Sequence, residues 1–393
     1  ENVFVADGLE VTDRSWPLEP GLGALRTSPD GTVVVALADP NADVSTGGIV
    51  NLTAMQVIRT DTDETWQVAI GFAASDVLFL TDASGATTQA LVLAPNEIAL
   101  VDLVTPAPRA DVTFPLTLNN LSSATPSDVV VTPDGQFALV SIAGSSDLYV
   151  LDLIEHSINI IGLRGAPTDM LLDADGDRTF VVYRNVSVIE AIDHVRFETT
   201  SWAVPLGLDH LDLTATAVIA TRQDKGAVVH RIDRATDRLD TWALNYPSGE
   251  LRIAPDGQWA ITTPPQSARF ELITLEPDGS GRLDNDPRPF GVEGEISDVQ
   301  FAERDGGTSA LMFSGGSNQL LQLDWPALTG SSIEIAYNPV SIGEAPGIGW
   351  FITHNDPQGR VTLLDLAGEA TVVEGFATYA MLEPTLLEKE AQP

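Results

Sequence analysis

Cysteine is absent from the 393 residues. That removes disulfides, thiolate metal sites and cysteine nucleophiles from consideration. Lysine is nearly absent too: Lys225 and Lys389 are the only two, and the other cations are arginines. With 56 acidic against 20 basic residues the formal net charge is −36. The basic footprint of a nucleic-acid binder is therefore missing, and anionic membranes and polyphosphates are repelled at long range. Aromatic residues make up 6% of the chain, so the core has to come from aliphatic side chains. No apolar run reaches the roughly 18 residues of a membrane span, and no helical periodicity persists long enough to matter.

What is present suits strands. Hydrophobic content is 44%, much of it Val, Leu, Ile and Ala, and the β-branched share favours a pleated, packed backbone. One turn recurs along the chain: Ser28-Pro29-Asp30-Gly31, Thr132-Pro133-Asp134-Gly135, Asp173-Ala174-Asp175-Gly176 and Ala254-Pro255-Asp256-Gly257. Degenerate copies stand at Asp82-Ala83-Ser84-Gly85 and around Asp305-Gly306. Proline presets φ, aspartate bonds its own backbone, and glycine supplies the positive φ of a tight turn.

Each full copy sits between an apolar run such as Val129-Val130-Val131 and a second one such as Phe137-Ala138-Leu139-Val140-Ser141. A third run ends on aspartate, most clearly Leu148-Tyr149-Val150-Leu151-Asp152-Leu153, and a more polar fourth run follows at 158–163. Four strands recurring every ~40–50 residues is the period of a propeller blade. The expected fold is an all-β β-propeller of eight four-stranded blades, with seven as the alternative. Blade starts are expected near 24, 76, 127, 167, 207, 248, 295 and 339. Residues 1–23 are expected to be closing strands that complete the last blade, 24–380 the propeller, and 381–393 a short helix or loose tail.

The Pro-Asp-Gly turn leading to Tyr149-Val150-Leu151-Asp152-Leu153 resembles the bacterial YVTN and lactonase-like propeller superfamily. The stretch from His354-Asn355-Asp356-Pro357 through Val361-Thr362-Leu363-Leu364-Asp365 resembles a segment of secreted propellers and lipoproteins of myxobacterial type. These resemblances imply a secreted, periplasmic or cell-surface protein of a Gram-negative bacterium, and they carry over no catalytic residue. A chain opening on Glu1 fits either a removed signal peptide or lipoprotein leader, or a trimmed terminus.

Site signals are few. Asp173, Asp175 and Asp177 alternate around Gly176 like the first half of a calcium loop, without the distal glutamate of an EF-hand. They are the candidate metal ligands, with calcium as the candidate ion. Asp278, Asp284 and Asp286 lie in a long polar loop, Glu276 to Pro289, that lengthens the sixth repeat. Pro40 to Gly48 lengthens the first. Loops beyond the blade minimum are candidate contact sites. The five histidines, His156, His194, His210, His230 and His354, show no zinc-pair spacing. No nucleophile elbow, P-loop or dinucleotide fingerprint occurs, and the tryptophans do not recur at one blade position as in propeller quinoproteins. The expectation is an interaction or scaffolding propeller whose partners are other proteins with basic surfaces. The alternative is a calcium-dependent lactonase-like hydrolase, which requires carboxylates on the innermost strands.

Overall fold

The computed structural model describes residues 2–373 except 8–9, 20, 39–50, 52, 83, 105–106, 118–122, 174, 195, 224–225, 278–282, 285, 305–306, 346–348, 356–359 and 366. Among the described residues all regular structure is β-strand. The 39–50 insertion and the C-terminal tail lie outside them.

Eight four-stranded sheets follow one another, each made of consecutive antiparallel strands. Their first strands begin at Leu22, Asp76, Pro126, Asp169, His210, Glu250, Ile296 and Pro339. The sheets are the eight blades of a β-propeller. The chain divides into two compact units, Glu1–Gly207 with blades 1 to 4 and Leu208–Pro393 with blades 5 to 8.

Asn2–Asp7 pairs with Glu10–Ser15 as a hairpin. Blade 8 takes its four strands from residues 339–373. A six-residue strand that meets a six-residue partner next to it in sequence satisfies its backbone groups locally.

Across the blades the second and third strands are largely buried, although Phe351 on the second strand of blade 8 is exposed. Val33–Ala38 is buried at every position, as is Ala217–Thr221. A strand sandwiched between neighbouring blades needs no polar face, which is why these segments read as continuous apolar runs. Alternate side chains feed different layers: Val33, Val35 and Leu37 pack with Val92 and Val101 of blade 2, while Val34 packs with Trp16 and Ile58. In the second unit Trp259 and Ile261 of blade 6 pack with Val299 and Met312 of blade 7. Fourth strands are exposed, as in Ser157–Gly162.

The repeated turn has two jobs. Gly31, Gly135, Gly176 and Gly257 all hold positive φ, 68° to 75°, and each amide N–H closes its turn onto a carbonyl three residues earlier. The turn aspartate then reaches the next blade. Asp30 accepts the Thr87 N–H at 2.7 Å, and Asp256 accepts the Thr308 hydroxyl at 2.9 Å. Burial pushes the Asp30 carboxyl up, but hydrogen bonds from Ser28, Thr87 and Thr32 outweigh it and hold the group far below the usual carboxylate range.

Candidate functional site

The candidate calcium loop is a fastened turn. Asp173 is buried and lies 3.5 Å from Arg178, while Asp175 and Asp177 are exposed. The backbone is committed too: His194 Nδ1–H donates to Gly176 O at 2.7 Å and the His194 amide donates to Asp177 O at 2.9 Å. Among the described residues no three His, Asp or Glu side chains form a group able to hold a metal ion, so the structure does not bring Asp173, Asp175 and Asp177 together as one. Asp278 lies outside the described residues, and Asp284 and Asp286 are exposed.

Three histidines are buried, and each contributes to packing. His194 accepts the Thr179 hydroxyl through Nε2. His354 donates from Nδ1 to Asn338 O and accepts from Thr362. His230, 1% exposed on the third strand of blade 5 (Val228–Asp233), bonds Thr241 through Nδ1 and leaves Nε2 without a hydrogen-bond partner. Burial lowers its pKa to about 4. Between pH ~6.5 and ~4 the unfolded chain therefore binds a proton at this position that the folded chain refuses. Acidification through that window should cost the fold about 3 kcal/mol. Urea titrations at pH 7, 5.5 and 4.5 check this: His230→Phe should flatten the decline, and an unchanged pH profile in that variant would contradict the assignment.

A groove lies along one edge of blades 6 and 7, in the second unit. Two cavities of about 510 and 390 Å³ share Gln258 and Trp325 as common wall. Glu276, Asp284 and Arg288 line the first, and Asp256, Glu303 and Thr308 the second. The side chains come from the ends of neighbouring strands and from the lengthened loop of blade 6. Buried Trp242 donates its indole N–H to Asp284 O at 2.9 Å, and Leu283 is buried in the core shared with Trp242. This anchors the loop, because a buried indole N–H is costly to leave unpaired.

The groove floor is aromatic and its rim is acidic. Trp325 stacks on fully buried Trp259 with ring centres 5.5 Å apart and planes at 19°. Phe301 meets Trp259 edge-on at 5.1 Å. Glu276 is held by Arg231, which is 1% exposed and also lies 3.1 Å from Asp233 and 3.7 Å from Asp240. Arg288 pairs with Asp284 at 3.1 Å. Asp256 and Glu303 are exposed. Carboxylates thus outnumber cations around a ring face that attracts cations.

Sequence reasoning missed a second set of carboxylates. Asp76, Asp128, Asp169 and Asp298 lie at the first or third position of the first strands of blades 2, 3, 4 and 7, each accepting the next residue's N–H at 2.8–2.9 Å. Asp128 also accepts from Met170 of the next blade at 3.2 Å, and Asp76 pairs with Arg26 of the preceding blade at 2.6 Å. Burial, with Asp169 nearby, pushes the Asp128 carboxyl up. The signal was available: Ser75-Asp76-Val77, Ser127-Asp128-Val129, Thr168-Asp169-Met170 and Ser297-Asp298-Val299 repeat one tripeptide pattern. Cross-blade partners make Asp76 and Asp128 pins between blades, and among the described residues none of the four belongs to a metal-holding group.

No protein-family model and no curated protein matches this sequence. Solved structures do. The chain is similar to the dihydro-heme d1 dehydrogenase NirN in complex with DHE, at 15% identity and TM-score 0.50, over 81% of this chain and 68% of that one. The fold is a β-propeller. Other similar structures are the Cps50 (Swd1) propeller domain of Myceliophteria thermophila, at 11% identity, TM-score 0.41, 81% and 99% coverage, and a putative 6-phosphogluconolactonase of Bacteroides fragilis, at 12%, 0.41, 72% and 88%. At such identities the likeness is one of fold alone, and a propeller hosts enzymes and interaction modules alike.

Proposed function

We propose that this propeller is an interaction module, working outside the cytoplasm, that engages a protein partner by seating its cationic side chains in the groove of blades 6 and 7. One observation carries the reading: Trp325 lines a cleft whose walls include Glu276, Asp256 and Glu303. A guanidinium or ammonium group stacked on that ring gains cation–π attraction and a carboxylate neighbour at once. The net charge of −36 adds long-range steering of a basic partner. The extracytoplasmic site of action rests on the resemblance to secreted propellers, and fractionation of source cells checks it: recovery in the cytoplasm would exclude it.

The binding test uses fluorescence anisotropy with an oligo-arginine peptide and the full chain. Asp284→Asn with Glu303→Gln should weaken binding about tenfold. Neutralising exposed carboxylates of the first unit, Asp63→Asn with Glu64→Gln, should change it less than about twofold, since exposed charges outside the groove are screened. Equal losses in both variants would mean a diffuse acidic field, and the groove reading would be abandoned.

A further inference from the structure

A second cavity in the unit formed by blades 5 to 8 is distinct in its chemistry from the groove. It measures about 490 Å³ and opens between the first strands of blade 5 (His210–Leu213) and blade 6 (Glu250–Ile253). Two donor–carboxylate pairs line it. His210 Nε2 lies 3.1 Å from Asp212 Oδ2, and Arg252 lies 2.6 Å from Glu250. Residues two apart on a strand share a face, so each pair presents a donor and a carboxylate to the same space. Asp212 Oδ2 is shielded from solvent, and its approach to His210 lacks hydrogen-bond geometry, so this acceptor is under-satisfied. Gln223 adds an amide.

The lining discriminates among ligand classes. An anion meets Asp212 and Glu250 in a chain of charge −36, which repels it. A cation meets Arg252 and His210 instead of the aromatic face the groove offers. An apolar ligand would strip water from two carboxylates and a guanidinium without replacing their hydrogen bonds. A neutral molecule rich in hydroxyls fits each demand. Hydroxyls donate to Asp212 and Glu250 and accept from Arg252 and Gln223. The volume falls within the range of small-ligand clefts. We infer that this cavity is a binding site for a neutral polyhydroxylated ligand, a sugar ring or short oligosaccharide, separate from the partner groove.

Saturation-transfer NMR on the full chain tests this, with glucose, galactose, maltose and lactose as probes and glucose 6-phosphate as the anionic control. At least one neutral sugar should receive saturation, and glucose 6-phosphate should receive none. Glu250→Gln and Asp212→Asn should each weaken that sugar about tenfold, the loss of a hydrogen bond to a charged acceptor. Both variants should keep oligo-arginine binding, which shows the fold intact and separates this site from the groove. Silence from all four sugars would overturn the inference. So would sugar binding that survives both substitutions, or glucose 6-phosphate binding as tightly as the neutral sugars.

Discussion

Replacing Arg231 by methionine should lower the unfolding free energy by about 3 kcal/mol. The guanidinium is 1% exposed and faces Asp233, Asp240 and Glu276, with Thr216 at 3.2 Å. Methionine fills much of the volume, so the loss comes mainly from three carboxylates that repel one another after losing their shared counter-charge, with Asp240 still paired to Arg238 at 2.9 Å. Adding Asp240→Asn to Arg231→Met should return part of the stability, because one repelling charge is removed. Urea midpoints of the single and double variants check this; a single variant within about 1 kcal/mol of the parent would show that the cluster contributes little.

Replacing Gly176 by alanine should also cost about 3 kcal/mol. Its φ is +75° and an added Cβ would stand 2.3 Å from Pro133 Cδ of blade 3. Gly135→Ala is the contrast: φ is +69° but nothing lies within 4 Å of the added atom, so only the backbone penalty of about 1 kcal/mol remains. If the two variants unfold at the same urea concentration, the contact between the turns of blades 3 and 4 is not what holds that position. Pro133→Ala alongside Gly176→Ala should recover much of the difference.

The contrast between those glycines shows what the sequence makes legible. A four-residue turn states its own φ requirement, so the turns and the blade starts were readable: the expected 76 and 339 coincide with Asp76 and Pro339, and 127 lies one residue from Pro126. Continuous apolar runs marked the doubly covered strands for the same local reason. Contacts between repeats were not readable. Nothing at Asp30 announces Thr87, 57 residues on, and nothing at Gly176 announces Pro133. The groove gathers Asp256, Glu276, Glu303 and Trp325 from separate turns, so no linear spacing exposes it. The alternating aspartates at 173–177 are ambiguous in sequence because one residue type serves both turn geometry and metal binding. His210 and Asp212 were overlooked for a different reason: a search for paired histidines does not see a histidine paired with a carboxylate on one face of a strand.

The central claim is that a cationic partner sits over Trp325 in the second unit. Hydrogen–deuterium exchange with and without the oligo-arginine peptide tests it most directly. Bound peptide should slow exchange in segments 255–258, 274–277, 303–308 and 324–328 and leave blades 1 to 4 unchanged. Protection spread evenly over both units, or concentrated away from those segments, would contradict it.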